Sequence, residues 1–231
     1  SIDHFQSLRY LSSPVTYENL LSENRGDFSS YLLENTLDFN KEFGEHRINA
    51  LVGYTSQETL RKGMSGSVYD VVEGYWVLNS GLTEPDVDGT DVESAMLSVL
   101  GRVNYSYKDR YLLQANFRRD GSSRFGAFNR YGNFPSGSLG WRISEEDFFV
   151  NAKQVVNNLK LRTSYGVIGD QQALGEYDYT TYINVSEGGI FGTGQEFVGG
   201  AIQKGRENPF IKWETRATFN LGVDFGLLSN Q

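Results

Sequence analysis

Hydrophobic and polar residues alternate with a period of two over most of this chain. Across residues 97–107, Leu97, Val99, Gly101, Val103, Tyr105 and Tyr107 share one side. Ser98, Arg102, Asn104 and Ser106 share the other, and Leu100 breaks the rule. After Lys108-Asp109 the alternation restarts, with Tyr111, Leu113, Ala115 and Phe117 opposing Gln114, Asn116, Arg118 and Asp120. Two such runs joined by two or three polar residues predict a β-hairpin. The pattern recurs over 31–39, 47–55, 138–143, 159–167 and 216–225, which makes seven long strands. Helical spacing occurs only near 145–156, where Ser144 is positioned to cap a short turn with Asp147 three residues on.

Two architectures alternate in this way: a soluble β-sandwich, apolar inside and polar outside, and a transmembrane β-barrel with the sides exchanged. The predicted strands reach about 10–14 residues, against about 5–6 in ordinary globular sheets. Their polar sides carry Arg, Asn, Gln, Ser and Gly, as a hydrated interior does. Their apolar sides end in Tyr, Phe or Trp, as membrane-interface girdles do. Connection lengths alternate too. Those at 40–46, 108–110 and 144–156 are short to moderate, and those at 62–94, 121–133 and 170–212 are long. Outer-membrane barrels alternate tight periplasmic turns with long extracellular loops, so 31–39 is expected to descend and 47–60 to rise. The run 177–185 fits less well. Either it pairs with a weak strand near 195–201, as a hairpin above the membrane, or both are loop.

Composition narrows the alternatives. The 231 residues carry 21 basic and 29 acidic side chains, a formal charge of −8, which argues against nucleic acid as a partner. There is no cysteine, so thiolate chemistry and disulfides are excluded, and the two histidines, His4 and His46, form no local metal motif. The start Ser1-Ile2-Asp3-His4 has no basic-then-apolar leader pattern, and no run approaches the roughly 18 apolar residues of a spanning helix. Spanning strands need only about 9–11 residues and escape that test.

The order of residues then becomes recognisable. The stretch from Tyr111 through Asn116-Phe117-Arg118-Arg119-Asp120-Gly121-Ser122-Ser123-Arg124-Phe125-Gly126 resembles the SusC/RagA family of TonB-linked outer-membrane transporters. The resemblance continues through Asn129-Arg130-Tyr131-Gly132, Phe134-Pro135-Ser136, Gly140-Trp141-Arg142-Ile143-Ser144, Phe148-Phe149 and Asn158-Leu159-Lys160-Leu161-Arg162. It ends on Ser164-Tyr165-Gly166, Asn208-Pro209, Lys212-Trp213-Glu214-Thr215 and Asn220-Leu221-Gly222-Val223-Asp224-Phe225. It is dense over 35–54 and 97–228, and thin before Phe28 and within 62–94.

This resemblance implies a protein of the outer membrane of Bacteroidota, set in lipid, that imports oligosaccharides or peptides. It implies energy from TonB through a plug region and a SusD-like surface lipoprotein as partner. The fold expected is all-β, an antiparallel transmembrane β-barrel segment of seven to nine strands from a barrel of about 22. Within 1–231 the expected layout is a hairpin at 28–60, a long extracellular loop at 61–94 and strands with turns at 95–169. An extracellular loop region at 170–211 and a strand with a periplasmic turn at 212–231 follow. No plug segment is recognised. A barrel of about 22 strands at about 10 residues each would use nearly the whole chain for strands alone. The sequence is therefore expected to be an arc of wall from a longer protein, unable to transport alone. The alternative is a secreted soluble β-sandwich that binds carbohydrate.

Candidate contacts to substrate or partner are Arg118, Arg119, Asp120 and Arg124 at the outer rim, and Tyr75 and Trp76 in the long loop. The competing reading of the rim residues is a self-neutralising cluster that fixes loop geometry. For the two aromatics it is packing within the loop. Arg102, Asn104, Gln114, Asn116, Arg118 and Arg162 are expected to line the interior, and Trp141 and Trp213 to anchor in the girdle or lipid. Glu84, Asp86, Asp88, Asp91 and Glu93 raise a calcium possibility, but Gly89 stands at the fourth position and not the sixth of an EF-hand loop. A solvated loop is the better reading, so no cofactor and no metal are expected. No enzyme motif appears. Glu145-Glu146-Asp147 are adjacent where glycosidase carboxylates face each other across a cleft, and a helix dipole accounts for them better.

Overall fold

The computed structural model describes residues 2–8, 19–185 and 188–227. Seven strands follow in chain order: β1 (Ile2–Leu8), β2 (Asn19–Phe43), β3 (His46–Tyr69), β4 (Asp86–Tyr107), β5 (Tyr111–Ser122), β6 (Tyr131–Arg142) and β7 (Val156–Asp170). Four short strands come next, β8 (Tyr182–Asn184), β9 (Gly188–Phe191), β10 (Glu196–Gly199) and β11 (Ile202–Lys204), and then β12 (Glu214–Leu227). The eight long strands form one sheet in the order β1-β2-β3-β4-β5-β6-β7-β12. Every strand expected from alternation is present. β1 and the first half of β2 were not expected.

The expected loop at 61–94 is corrected by the structure. β3 continues to Tyr69 and β4 begins at Asp86, so only 70–85 connects them. Polar and glycine residues interrupt both sides of these strand ends and hide them from an alternation test. The acidic run is corrected with it: Asp86, Asp88, Asp91 and Glu93 lie on β4. Period two sets Asp86 and Asp88 against Asp91 and Glu93 on opposite faces, and Asp91 pairs with Lys62 at 3.0 Å. In the 170–211 region, β8 pairs with β11 and β9 with β10, as two ribbons outside the main sheet. The strand expected over 177–185 is thus only Tyr182–Asn184, and it pairs with Ile202–Lys204 and not with 195–201. β7 pairs directly with β12.

The expected helical segment near 145–156 is three separate 3-10 turns at 143–145, 147–149 and 152–154, none with a side-chain cap. Ser144 lies inside the first turn and is buried, so it is not an N-cap.

The fold divides into two compact units. The first comprises residues 1–31 and 58–94. Its small core is Leu21, Val68 and Val71, with Leu78 packed against it. Asn19 fastens the end of β3 to this core, its amide donating to the Val71 carbonyl at 2.9 Å and its Oδ1 accepting from the Val71 N–H at 2.6 Å.

The second unit comprises residues 32–57 and 95–231. Its registers keep the sequence alternation in phase from strand to strand. Val103 stands opposite Ala115, Ala115 opposite Gly137, Gly137 opposite Tyr165 and Tyr165 opposite Phe219. A slip of one residue would turn each apolar side chain to the polar face, which is why the pattern specifies the register. The β6–β7 ladder stops at Ser136↔Gly166, next to Pro135, which has no N–H to donate. Beyond that point Phe134 is buried over Gly169, where a Cβ would stand 2.1 Å from its ring.

Candidate functional site

The second unit has two unlike faces. On one, Val103, Leu139, Phe219 and Leu221 are 43%, 55%, 67% and 69% exposed, with no second layer over them among the described residues. Only five hydrophobic side chains are buried among the described residues, namely Leu21, Val68, Val71, Phe125 and Phe134. A β-sandwich buries its apolar face, so this sheet does not have the arrangement of the soluble alternative.

The other face is a hydrogen-bonded polar lining. Asn104 donates to Asn49 at 3.0 Å, and Asn49 donates in turn to Asn40. Arg102 donates to Asn116 at 2.9 Å, and Asn116 to Ser136 at 3.2 Å. Arg162 pairs with Asp224 at 3.1 Å. The residues expected to line the interior therefore share one face. Leu100, the exception to the alternation, lies over Gly53, where an added Cβ would come within 3.0 Å of it.

At the end with the tight turns, an aromatic row crosses the outward face. Phe43, His46, Tyr107, Tyr111 and Trp141 stack in succession, with centroid distances of 5.2, 4.7, 6.3 and 6.5 Å. This is the geometry of an interfacial girdle, amphipathic rings at the boundary between lipid and water. Trp141 belongs to it as expected.

One carboxylate of the acidic triplet, Glu146, holds this row. Glu146 accepts hydrogen bonds from the Tyr111 hydroxyl at 2.6 Å, the Trp141 indole at 2.9 Å and Arg110 at 3.1 Å. Arg110 also bridges to Asp147, and Lys153 to Glu145. The acidic triplet is thus explained by the side chains it pairs with, and not by a helix dipole. The Tyr111 hydrogen bond, then those of Trp141 and Arg110, lower the Glu146 carboxyl below its ordinary value. A carboxyl with a lowered folded-state pKa stabilises above its unfolded value, near 4.3, and that contribution is lost as pH falls through the lowered one. Unfolding of the whole barrel followed at pH 7 and at decreasing pH should therefore show Glu146→Gln as the less stable form at pH 7. The gap should close in acid, and a gap independent of pH would show that charge is not the cause.

At the opposite end, the predicted rim residues separate. Arg118 grips Asp120 through Nε, at 2.7 and 2.8 Å to the two oxygens, and reaches Ser98 at 3.2 Å, with Asp120 buried. Arg119 lies instead over the Tyr131 ring at 4.8 Å. Arg124 donates to the Leu174 carbonyl at 3.0 Å, to that of Gln171 at 3.4 Å and to Glu176 at 3.0 Å. It thereby ties the 123–130 connection to the one after β7. Tyr75 and Trp76 belong to the first unit, in the 70–85 connection, and are exposed. Trp213 differs from expectation. It is not a lipid anchor but stacks on the buried Phe125 at 4.5 Å, meets Phe134 edge-on at 5.4 Å and donates to the Arg130 carbonyl. Among the described residues, no three His, Asp or Glu side chains gather as a metal site.

A sheet with an uncovered apolar face, an aromatic girdle and a hydrogen-bonded polar lining is the wall of an outer-membrane β-barrel. The family described as TonB dependent receptor-like, beta-barrel, matches residues 2–230, and the chain belongs to it. Its place is the outer membrane. TonB-dependent receptor SusC of Bacteroides thetaiotaomicron is 32% identical over 229 residues, covering 95% of this chain and 22% of that protein. TonB-dependent receptor P3 of Formosa agariphila is 32% identical over 204 residues, covering 87% of this chain and 20% of its own length. The solved RagAB peptide importer in its closed-closed state superposes with a TM-score of 0.81 at 24% identity, over 94% of this chain and 24% of that one. Its open-open state also gives 0.81, over 98% and 25%. The chain therefore spans about a fifth of the curated relatives it matches, and the similarity to SusC/RagA transporters runs through nearly all of it.

Proposed function

We propose that this chain forms part of the barrel wall of a TonB-dependent importer that carries oligosaccharides or peptides across the outer membrane. The observation that carries the reading is the in-register division of the second unit into an uncovered apolar face and a hydrogen-bonded polar one. Membership in a family of receptors coupled to TonB supports the energy source, and the solved relatives are peptide importers. A SusD-like surface lipoprotein is the proposed partner at the outer mouth. The chain has no catalytic role in this reading and holds no cofactor, calcium included. Exposed Tyr75 and Trp76 are proposed to contact substrate or partner. Of the rim group, Arg119 is proposed to contact them directly, and Arg118, Asp120 and Arg124 to hold the surface that does.

Uptake in cells tests this. Removing the gene for the full-length protein should reduce uptake of labelled oligosaccharide or peptide mixtures by about tenfold or more, with an equal loss when a protonophore collapses inner-membrane energy. Unchanged uptake of both cargo classes would overturn the importer reading.

A further inference from the structure

The charge of the chain is unevenly divided. The first unit carries 12 acidic against 4 basic side chains and the second 17 of each, so the whole formal charge of −8 belongs to the first. From residue 63 to residue 101 there are seven acidic residues and no Lys or Arg. Asp91 is taken by Lys62, whereas Glu73, Glu84 and Asp86 are exposed and make no ion pair among the described residues.

Within this acidic stretch, the connection 70–85 displays apolar side chains. Tyr75 and Leu82 are 67% and 80% exposed, and Val72, Trp76 and Val77 are about half exposed. The connection is ordered from within. Leu78 takes the place against the Leu21, Val68 and Val71 core. The Ser80 hydroxyl lies 2.6 and 2.7 Å from the carbonyls of Tyr75 and Val77, and Thr83 Oγ1 accepts from the Tyr69 N–H at 3.1 Å. Gly81 packs so closely on Val68 that an added Cβ would come within 2.2 Å of it. Tyr75 and Trp76 therefore stand outward on a framework that does not use their rings. β3 is 24 residues long, about twice what a spanning strand needs, so its far end and this connection stand clear of the bilayer, away from the tight turns.

We propose that the 70–85 connection is a docking surface for a protein partner whose contact face is basic around an apolar pocket, with Tyr75 and Trp76 as the anchors that fill it. The partner is the surface lipoprotein proposed above; this rests on that reading and adds the chemistry of the contact. Aromatic anchors held out in advance lose little freedom on binding, and Trp and Tyr dominate contacts of this kind. Protruding side chains suit a pocket on the partner, whereas a small cargo molecule needs a concave site. Exposed carboxylates with no cation among them attract a basic face and repel an anionic one, whether membrane or cargo.

A photo-crosslinking residue placed at Leu82 of the full-length protein tests this in cells. The adduct should be a SusD-like lipoprotein joined through a segment rich in Lys or Arg, and none should form from a residue placed at Phe219 on the apolar face of the second unit. The soluble part of that lipoprotein is then titrated against the detergent-purified full-length protein. Trp76→Ala and Tyr75→Ala should each weaken binding about tenfold or more. Glu84→Lys with Asp86→Lys should slow association about tenfold at low salt, with little difference at high salt. All four side chains are exposed, so the variants should keep the heat-modifiable gel mobility of the parent. Loss of that mobility would show that these side chains hold the fold, and overturns the assignment. It is equally overturned if a lysine-rich hexapeptide displaces the lipoprotein, which would make the surface a cargo site. If the lipoprotein binds the parent and all variants alike and Leu82 captures nothing, the docking surface is wrong and the partner reading stands. If no lipoprotein binds the parent, the partner reading itself falls.

Discussion

Phe125→Ala is expected to open the outer rim, at a cost of about 3–5 kcal/mol, the usual range for emptying a buried aromatic site. Phe125 is fully buried among the described residues and stacks on Trp213, which packs edge-on against Phe134. The same connection is fastened on both sides. Gly126 lies so close to the Pro209 carbonyl that a Cβ would stand 2.7 Å from its oxygen, and Phe128 stacks on Phe210 at 5.6 Å. Arg124 secures the first residues after β7. Without the ring, Trp213 loses its stacking partner and the 123–130 connection separates from 208–213. Limited proteolysis of the full-length protein in detergent reads this directly. The parent should resist cleavage between 171 and 213, Phe125→Ala should be cut rapidly, and Phe125→Leu should fall between them. Equal resistance in all three would show that the rim does not depend on this core.

The second large effect is expected on the outward face. Val103→Arg or Leu221→Arg sets a guanidinium where the barrel meets hydrocarbon, at about 2–4 kcal/mol near the bilayer midplane. Ser164→Arg, one residue before Tyr165 but on the polar face, should insert almost normally. The fraction folded in outer membranes, read from heat-modifiable mobility, should fall for the first two variants only. Normal insertion of Val103→Arg would mean that the two faces have been assigned the wrong way round.

Much of this fold was legible because strand geometry repeats every two residues and each face meets a uniform environment. Seven strands and the sidedness of Val103, Gln114 and Leu221 follow from alternation alone. That signal fails where polar and glycine residues interrupt both sides of a strand. The far ends of β3 and β4 therefore read as loop, and their acidic residues as one cluster although the strand sets them on opposite faces. It fails again at 143–155, where adjacent polar and apolar residues imitate helical spacing but short 3-10 turns form.

The site was less legible than the wall. Arg118 and Asp120 are two apart on one strand, so their meeting is local and could be anticipated. Arg124 and Glu176 are 52 residues apart, and Glu146 and Tyr111 are 35 apart. Nothing in the intervening sequence encodes those encounters.

The 231-residue sequence by itself determined the class of structure, the membrane-facing side and the family, since each depends on local periodicity or on ordered strings of residues. Only the tertiary structure decided that Trp213 packs against Phe125 and Phe134 at the rim and is not an anchor, and that Glu146 ties down the girdle. The physical reason is that cross-strand neighbours come from distant parts of the chain. Their chemistry exists only after the register has brought them side by side.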